Sequence, residues 1–308
     1  MRKLRFDLDV QPNALLCPNP QEFYSKAYIS EDIANNYRAI PGVKSATKIA
    51  NVLFTDLLKA STCSFTSDPN PLDAIDIDVC PLSAMAEICR FDLEASFVSL
   101  QMARGSNGDF TPQAFMSYYW DEMAKEIAQE VAVLRWQGNT TSPGGGTYLD
   151  LCDGYELKFT NDNEIITPNS TAPITTTNVL DEMGAVYALL PGAVRSQTQD
   201  LRFYVSSNVF QAYQIAAALG NTMSYITSAL APTFLGIQLV VCDGMSNDTM
   251  VLTNRNNLIY AFDGEDDGKA LKAVNLEDSV AEPLLRTRAN LKVGFFYVNP
   301  AEIVFYQD

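Results

Sequence analysis

In the stretch "FDGEDDGKALKAVNLE", Asp263, Glu265, Asp267 and Gly268 stand at the spacing of a calcium-binding loop. A hard cation takes oxygen ligands from alternate positions of such a loop, and a glutamate at the twelfth position completes the shell. Counted from Asp263, that position is Val274. The preceding "NLIYAFD" reads as a strand where the motif requires a helix. The spacing therefore predicts a solvated acidic loop over 263–268. A weak cation site shared between symmetry-related loops is the remote alternative.

Carboxylates recur in "DAIDID" and "NDNEIITPN". Glycoside hydrolysis needs two of them facing each other across a sugar cleft. Spacing alone places no such pair. Asp121 and Glu122 are adjacent on a predicted helix and point in different directions. The chain contains no histidine. That removes Ser-His and Cys-His nucleophile pairs and histidine zinc ligands together. The run "TTSPGGGTYLDLCDGYELKF" invites a phosphate-loop reading, but it lacks G-K-[ST]. The residues after the glycines resemble a strand, not a helix N-terminus. A flexible connector and a domain boundary are expected there. No catalytic, cofactor-binding or metal-binding residue is assigned, and no enzyme activity is expected.

The six cysteines are Cys17, Cys63, Cys80, Cys89, Cys152 and Cys242, and no two form a C-x-x-C pair. Most lie beside apolar residues, as in "LVVCDG". They are expected to be reduced, mostly buried thiols, which implies a reducing compartment.

Over 308 residues, 47% are hydrophobic and 19% charged, a globular composition with a core to bury. The net charge is −16. A duplex reader depends on Lys and Arg to displace counterions, so this balance opposes nucleic-acid recognition as a primary role. It equally disfavours anionic membrane surfaces. The basic start "MRKLRFDLDV" lacks the apolar core of a signal peptide, and no stretch reaches the ~20 apolar residues of a spanning helix. Synthesis in the cytoplasm is expected.

The scaffold around these groups reads in chain order. Residues 1–45 combine Pro12, Pro18, Pro20 and Pro41 with Phe23, Tyr24, Tyr28, Ile29, Tyr37 and Ile40. An arm so rich in large apolar groups must lie on something. Its own domain and a neighbouring subunit both fit. "TKIANVLFTDLLKA" is expected to contain a helix. "DAIDIDV" alternates with period two and predicts a strand with one wet face; "AEICRFDLEASFV" predicts another. In "FTPQAFMSYYWDEMAKEIAQEVAVLRWQGN", Thr111 and Pro112 mark a helix start and Gly138 a stop. Met116, Tyr119, Trp120, Met123, Ile127, Val131 and Leu134 form one apolar stripe. At ~1.5 Å per residue this helix is about 39 Å long. Beyond it, "NVLDEMGAVYALL" and "SNVFQAYQIAAALG" read as helices, with "DLRFYVS", "FLGIQLVVCDG", "TMVLT" and "NLIYAFD" as strands. The terminal "RTRANLKVGFFYVNPAEIVFYQD" holds two strand-like runs around Asn299 and Pro300. The whole is a mixed helix–strand chain.

This order resembles the major capsid proteins of tailed bacteriophages, which have the Hong Kong 97-type fold. "DVCPLSAMAEICRFDLEASFVSLQMARGSNGDFTPQAFMSYYWDEMAKEIAQEVAVLRWQGN" is similar to the loop-to-spine region of capsid proteins from Bacteroides-type phages, crAss-like ones included. "QDLRFYVSSNVFQAYQ" and "LGIQLVVCDGMSNDTMVLTNRNNLIYAFD" resemble the family's axial-domain strands and helix. The resemblance implies an α+β fold in five parts. These are an N-terminal arm over 1–45, an extended hairpin loop over 46–100, and a peripheral domain over 101–150 and 281–308 with a spine helix over 111–137. An axial domain over 151–280 completes the set.

The resemblance also implies a function. Hexamers and pentamers of the chain would close into an icosahedral shell around double-stranded DNA, assembled in the host bacterial cytoplasm. Portal, scaffolding and decoration proteins would be partners. DNA would be touched weakly; Arg2, Lys3 and Arg5, a small basic cluster on the arm, would either touch it or, the favoured reading, pair with acidic neighbours. Phe23, Tyr24, Tyr28 and Tyr37 of the arm and Ile75, Ile77 and Val79 of the hairpin are the candidate assembly-interface residues. Met123, Ile127 and Val131 are the expected spine core. Some relatives crosslink a hairpin lysine to an asparagine of another subunit. Here no lysine lies between Lys59 and Lys125, so noncovalent cohesion is expected. A scaffold would be a separate protein or a removed segment. The alternatives are a tail-associated or other binding protein and, less favoured, a carboxylate-dependent glycoside hydrolase.

Overall fold

The computed structural model describes residues 20–28, 31–44, 47–52, 72–89, 113–141, 146–169, 171–196, 198–219, 232–263, 271–276, 282 and 284–308. The chain folds as two compact units, each built from three separated segments. The first comprises Met1–Ser30, Pro81–Ala128 and Gly264–Leu291; the second comprises Glu31–Cys80, Gln129–Asp263 and Lys292–Asp308. The glycine run expected as a boundary therefore lies inside the second unit.

The helices are α1 (Pro20–Tyr28), α2 (Glu31–Asn36), α3 (Gln113–Gln137), α4 (Tyr155–Asn161), α5 (Val179–Leu189), α6 (Gly192–Arg195) and α7 (Ser207–Leu219). The strands are β1 (Arg38–Pro41), β2 (Thr47–Val52), β3 (Leu72–Ile77), β4 (Cys80–Cys89), β5 (Leu201–Val205) and β6 (Thr233–Phe234). They continue with β7 (Ile237–Val241), β8 (Met250–Asn254), β9 (Leu258–Asp263), β10 (Leu271–Asn275), β11 (Leu284–Tyr297) and β12 (Val304–Tyr306).

In the second unit, one sheet runs β12-β8-β5-β7-β6. β5 and β7 are parallel, joined through α7, and the remaining pairs are antiparallel. Its strands are buried on both faces, which is why they read as nearly continuous apolar runs. Leu201, Phe203 and Val205 of β5, with Met250 and Leu252 of β8, pack against Val179, Met183 and Val186 of α5 and Val209 and Tyr213 of α7. Tyr204, one residue out of phase on β5, points to the opposite face and is fully buried there. In the same unit β1 pairs in parallel with β9, and β9 pairs with the second half of β11.

In the first unit, the first half of β11 pairs antiparallel with β10, and β4 also pairs with β11. Burial alternates strictly along this part of β11: Leu285, Thr287, Ala289 and Leu291 are covered, and Arg286, Arg288 and Asn290 are exposed. Tyr119 of α3 shares a 2.5 Å hydrogen bond with Thr287 on the covered face.

Several local expectations are corrected. The first six residues of the segment expected to hold a helix form β2, because β3 offers them a full antiparallel partner, Thr47 opposite Ile77 through Val52 opposite Leu72; residues 53–60 lie outside the described residues. After the glycine run comes a 3-10 turn, Tyr148–Leu151, and then α4, not a strand. The second predicted strand begins earlier, at Cys80. Asn178 precedes α5 as expected, but its side chain makes no cap; it accepts from the Thr175 amide and hydroxyl and donates to the Pro173 carbonyl. Two of the six cysteines are not thiols: Cys80 and Cys152 form a disulfide. Cys89 and Cys242 are not disulfide-bonded, and Cys17 and Cys63 lie outside the described residues. A separation of 72 residues hid the pair from any spacing motif. Gly138 does end α3, through its amide to the Leu134 carbonyl. The reason is close approach: a Cβ there would lie 2.2 Å from the Cys152 carbonyl oxygen.

Candidate assembly surfaces

The arm residues come first. On α1, Phe23 and Tyr24 are buried within the first unit. Phe23 sits edge-on to Trp120 of α3 at 5.5 Å, and the Tyr24 hydroxyl donates to the Asn290 carbonyl at 3.3 Å. Lys26 bridges Glu22 at 2.8 Å and Asp121 at 2.9 Å. All three charged groups are exposed, so the pairings orient α1 more than they stabilise it. The side chain of Tyr28 lies outside the described residues. The rings of Phe23 and Tyr24, expected at a contact with a neighbouring subunit, are covered by the chain's own first unit.

Tyr37, in the second unit, is buried in an aromatic cluster. Its ring lies 5.3 Å from Tyr204 and stacks on Tyr155 at 6.3 Å; Trp136 is 5.3 Å from Tyr155. The Arg135 guanidinium stands 4.7 Å from the Tyr37 ring centroid. Such a cation is attracted to the ring face. Its Nε and Nη1 have no hydrogen-bond partner among the described residues. Burial pushes the Tyr37 and Tyr204 hydroxyls far above the ordinary phenol range. This cluster is a core, not a surface.

The hairpin residues behave alike. Ile77 and Val79 are buried and Ile75 is partly buried against Ile259, Ala261 and Val43. The alternation then leaves Asp76 and Asp78 outward. Asp76 makes a single exposed ion pair with Lys48 at 3.2 Å. The wet face expected from period two is present. It is the free, acidic face of the hairpin, and the three apolar candidates belong to the internal core. Of the spine residues, Ile127 and Val131 are buried and Met123 is half-buried.

The first unit carries an outward sheet face that sequence reasoning missed. Arg286 Nε meets Glu87 Oε2 at 2.5 Å, and Arg288 reaches Ser83 Oγ at 3.1 Å and Asn290 Oδ1 at 2.9 Å. Met85 beside them is 69% exposed. The signal was present in "LLRTRANLK", where cations fall on alternate positions of a strand.

Two features bear on hydrolysis. A cavity of about 520 Å³ in the second unit is lined by Asp153, Lys158, Asp162, Glu164 and Tyr297. The Tyr297 hydroxyl donates to Asp162 at 2.6 Å. Lys158 donates to the Phe295 carbonyl and lies 4.0 Å from the Phe296 ring centroid; burial lowers its pKa to about 8, partly offset by Asp153. Glu156 is the described carboxylate whose pKa is raised, by burial. It accepts from the Ser246 amide at 2.8 Å and hydroxyl at 2.5 Å inside the fold, so it does not face that cavity as a general acid. Among the described residues no group of three or more acidic or cysteine side chains is placed to hold a metal. Asp263 pairs with Lys292 at 3.6 Å. The rest of the acidic loop lies outside the described residues, as do Arg2, Lys3 and Arg5. No described helix is long and apolar enough to cross a membrane.

Comparison with solved structures completes the site. A chain of the satellite phage P4 procapsid, solved with its size-determination protein, superposes with a TM-score of 0.59. The match covers 93% of this chain and 96% of that one, at 12% identity. This is a phage-capsid fold. The capsid of Myoviridae phage XM1 gives a TM-score of 0.54 at 11% identity, over 89% of this chain and 90% of that one. The capsid of an empty GTA particle gives 0.53 at 13% identity, over 89% and 88%. No protein-family model matches the sequence, and no curated protein matches it. The capsid fold is therefore carried by architecture with little shared sequence.

Proposed function

We propose that the chain is a structural subunit of a tailed-phage shell of the Hong Kong 97 type, akin to those of Bacteroides-type phages. Hexamers and pentamers of it close into an icosahedral container for double-stranded DNA. On this reading α3 is the spine helix and β2–β3 belong to the extended hairpin. The sheet carrying α5 and α7 is the axial domain. Subunits are held by many weak noncovalent contacts acting at once, so no single interface needs high affinity. The net charge of −16 keeps packaged DNA from adhering along the wall. Portal and scaffolding proteins complete the particle.

The observation that carries this reading is the near end-to-end likeness to the P4 procapsid chain at a TM-score of 0.59. A binding module built for another purpose has no reason to keep both units of a shell subunit. Electron microscopy of the purified chain, with analytical ultracentrifugation, tests it. Rings, tubes or closed shells that grow with concentration are expected. A monomer at every concentration, with or without a co-expressed scaffold, overturns the reading.

A further inference from the structure

Cys80 and Cys152 are bonded to each other, yet each is also held in place by contacts that do not involve sulfur. Around Cys152, the Gly154 amide donates to the Gly138 carbonyl at 2.8 Å and the Asn139 amide to the Leu149 carbonyl at 2.8 Å. The Thr140 hydroxyl donates to Asp153 at 2.6 Å. These bonds lay the segment along the end of α3, so closely that a Cβ on Gly154 would stand 2.5 Å from the Trp136 carbonyl oxygen. Before Cys80, Ile77 and Val79 are packed in the core with Ile259 and Ala261. The Asp78 carbonyl oxygen lies 2.8 Å from where a Cβ on Gly294 would stand. Opening the S–S bond therefore leaves the two sulfurs as neighbours, and it can reclose while the chain stays folded.

The two sulfurs differ in access. Cys80 is half-exposed, whereas Cys152 is buried. Thiol–disulfide exchange needs an approach to one sulfur, and here only Cys80 offers it. The chain also leaves Cys89 and Cys242 outside any disulfide. A protein made in an oxidising compartment relies on its disulfides from the start; in a reducing one, such a bond is transient or redox-sensing.

We propose that Cys80 and Cys152 form a reversible redox latch, with Cys80 as the sulfur that exchanges with solution and Cys152 as the resolving thiol. The oxidant is a low-molecular-weight disulfide. The Cys80 thiolate attacks one of its sulfurs, a mixed disulfide forms on Cys80, and one small thiolate leaves. The Cys152 thiolate then attacks the Cys80 sulfur, the Cys80–Cys152 bond forms, and the second small thiolate leaves. Each departing thiolate takes up the proton that a protein thiol has lost, so the dithiol is oxidised and the small disulfide is reduced to two thiols. An excess of small thiol runs both steps backwards. The timing rests on the shell-subunit reading: subunits assemble as dithiols in a reducing bacterial cytoplasm and latch after release. Cys80 ends a segment of the second unit and Pro81 begins one of the first. The closed latch thus pins the chain at the point where it leaves one unit for the other.

Differential alkylation of the full-length chain tests the latch. Cells expressing it are treated with N-ethylmaleimide before lysis, and purified protein is treated after exposure to oxidised glutathione; peptide mass spectrometry reads each cysteine. Cys80 and Cys152 are expected to be alkylated in cells and protected after oxidation, with half-exposed Cys89 as the reference. A bond already closed in cells, or one that oxidised glutathione never closes, overturns the proposal. Cys152→Ser is expected to hold a glutathione adduct on Cys80, while Cys152 in Cys80→Ser gains it at least about tenfold more slowly. The reverse order overturns the assigned roles. If either variant fails to fold by circular dichroism, timed alkylation of the reduced wild type decides instead, Cys80 reacting before Cys152. Wild-type chain kept under reductant is expected to assemble; a chain that assembles only once oxidised overturns the timing. A chain that assembles in neither state refutes the shell-subunit reading and leaves the alkylation results to judge the latch alone.

Discussion

Cys80, the first residue of β4, is disulfide-bonded to Cys152, which comes just after the 3-10 turn beyond α3. Their Cα atoms lie 5.9 Å apart across 72 residues of sequence. The bond ties the base of the hairpin to the segment that leads into α4. Closing a loop of this length constrains the unfolded chain by about 4 kcal/mol in the chain-entropy account. The double variant Cys80→Ser/Cys152→Ser, or reduction, is expected to lower the melting temperature by roughly 10 °C. Scanning calorimetry with and without reductant measures it. Equal melting temperatures would show that the bond does not form in the purified protein.

Lys158 gives the fold a pH signature. Its pKa is lowered from 10.5 to about 8 by burial. Between those values the unfolded chain binds the proton and the folded chain does not. Stability therefore rises with pH through that window, and below pH 8 the folded state carries a poorly solvated charge. In Lys158→Met this rise should vanish from the melting temperature measured between pH 8 and 10. An identical slope in the variant would assign the effect to another group.

Gly244 touches α3 too closely for any side chain. A Cβ there would stand 2.1 Å from the Ala132 carbonyl oxygen and 2.4 Å from its carbon, both backbone atoms. Gln137 of α3 donates to the Gly244 carbonyl at 2.9 Å, so the turn is held against the helix. Gly244→Ala should cost about 1–3 kcal/mol, the usual range for overpacking. Urea unfolding checks the figure, and a change below a few tenths would mean that the turn moves freely.

Arg135 is a buried cation with no carboxylate bonded to it among the described residues, facing Tyr37. Replacing a desolvated charge with an apolar group of similar length is often neutral or favourable. Arg135→Met should therefore unfold at the same or higher temperature than the parent. Arg135→Ala leaves a cavity and should unfold at a lower one. A marked loss in Arg135→Met would mean that the cation–ring contact outweighs desolvation.

Much of this chain is legible from local pattern. β5, α5, α7, β8, β9 and the long α3 are set by hydrophobic period and by turn residues such as Pro191, because each signal is contained within one element. The lack of histidine and the acidic balance narrowed the chemistry before any contact was known. Helix against strand over 47–52 was not legible, since intrinsic preferences differ by less than about 1 kcal/mol and the pairing partner decides.

Tertiary structure alone decided which surfaces are free. An alternating strand such as "DAIDIDV" announces two unlike faces, yet nothing in it says which one meets its own chain. Ile77 is covered because Ile259 and Ala261, far along the sequence, come to lie beside it. That leaves Asp76 and Asp78 facing outward. Phe23, Tyr24 and Tyr37 were equally ambiguous until Trp120, Asn290 and Tyr204 were brought to them. Local pattern is a property of neighbours in sequence. Burial and the Cys80–Cys152 bond depend on neighbours in space, and only the folded chain supplies those.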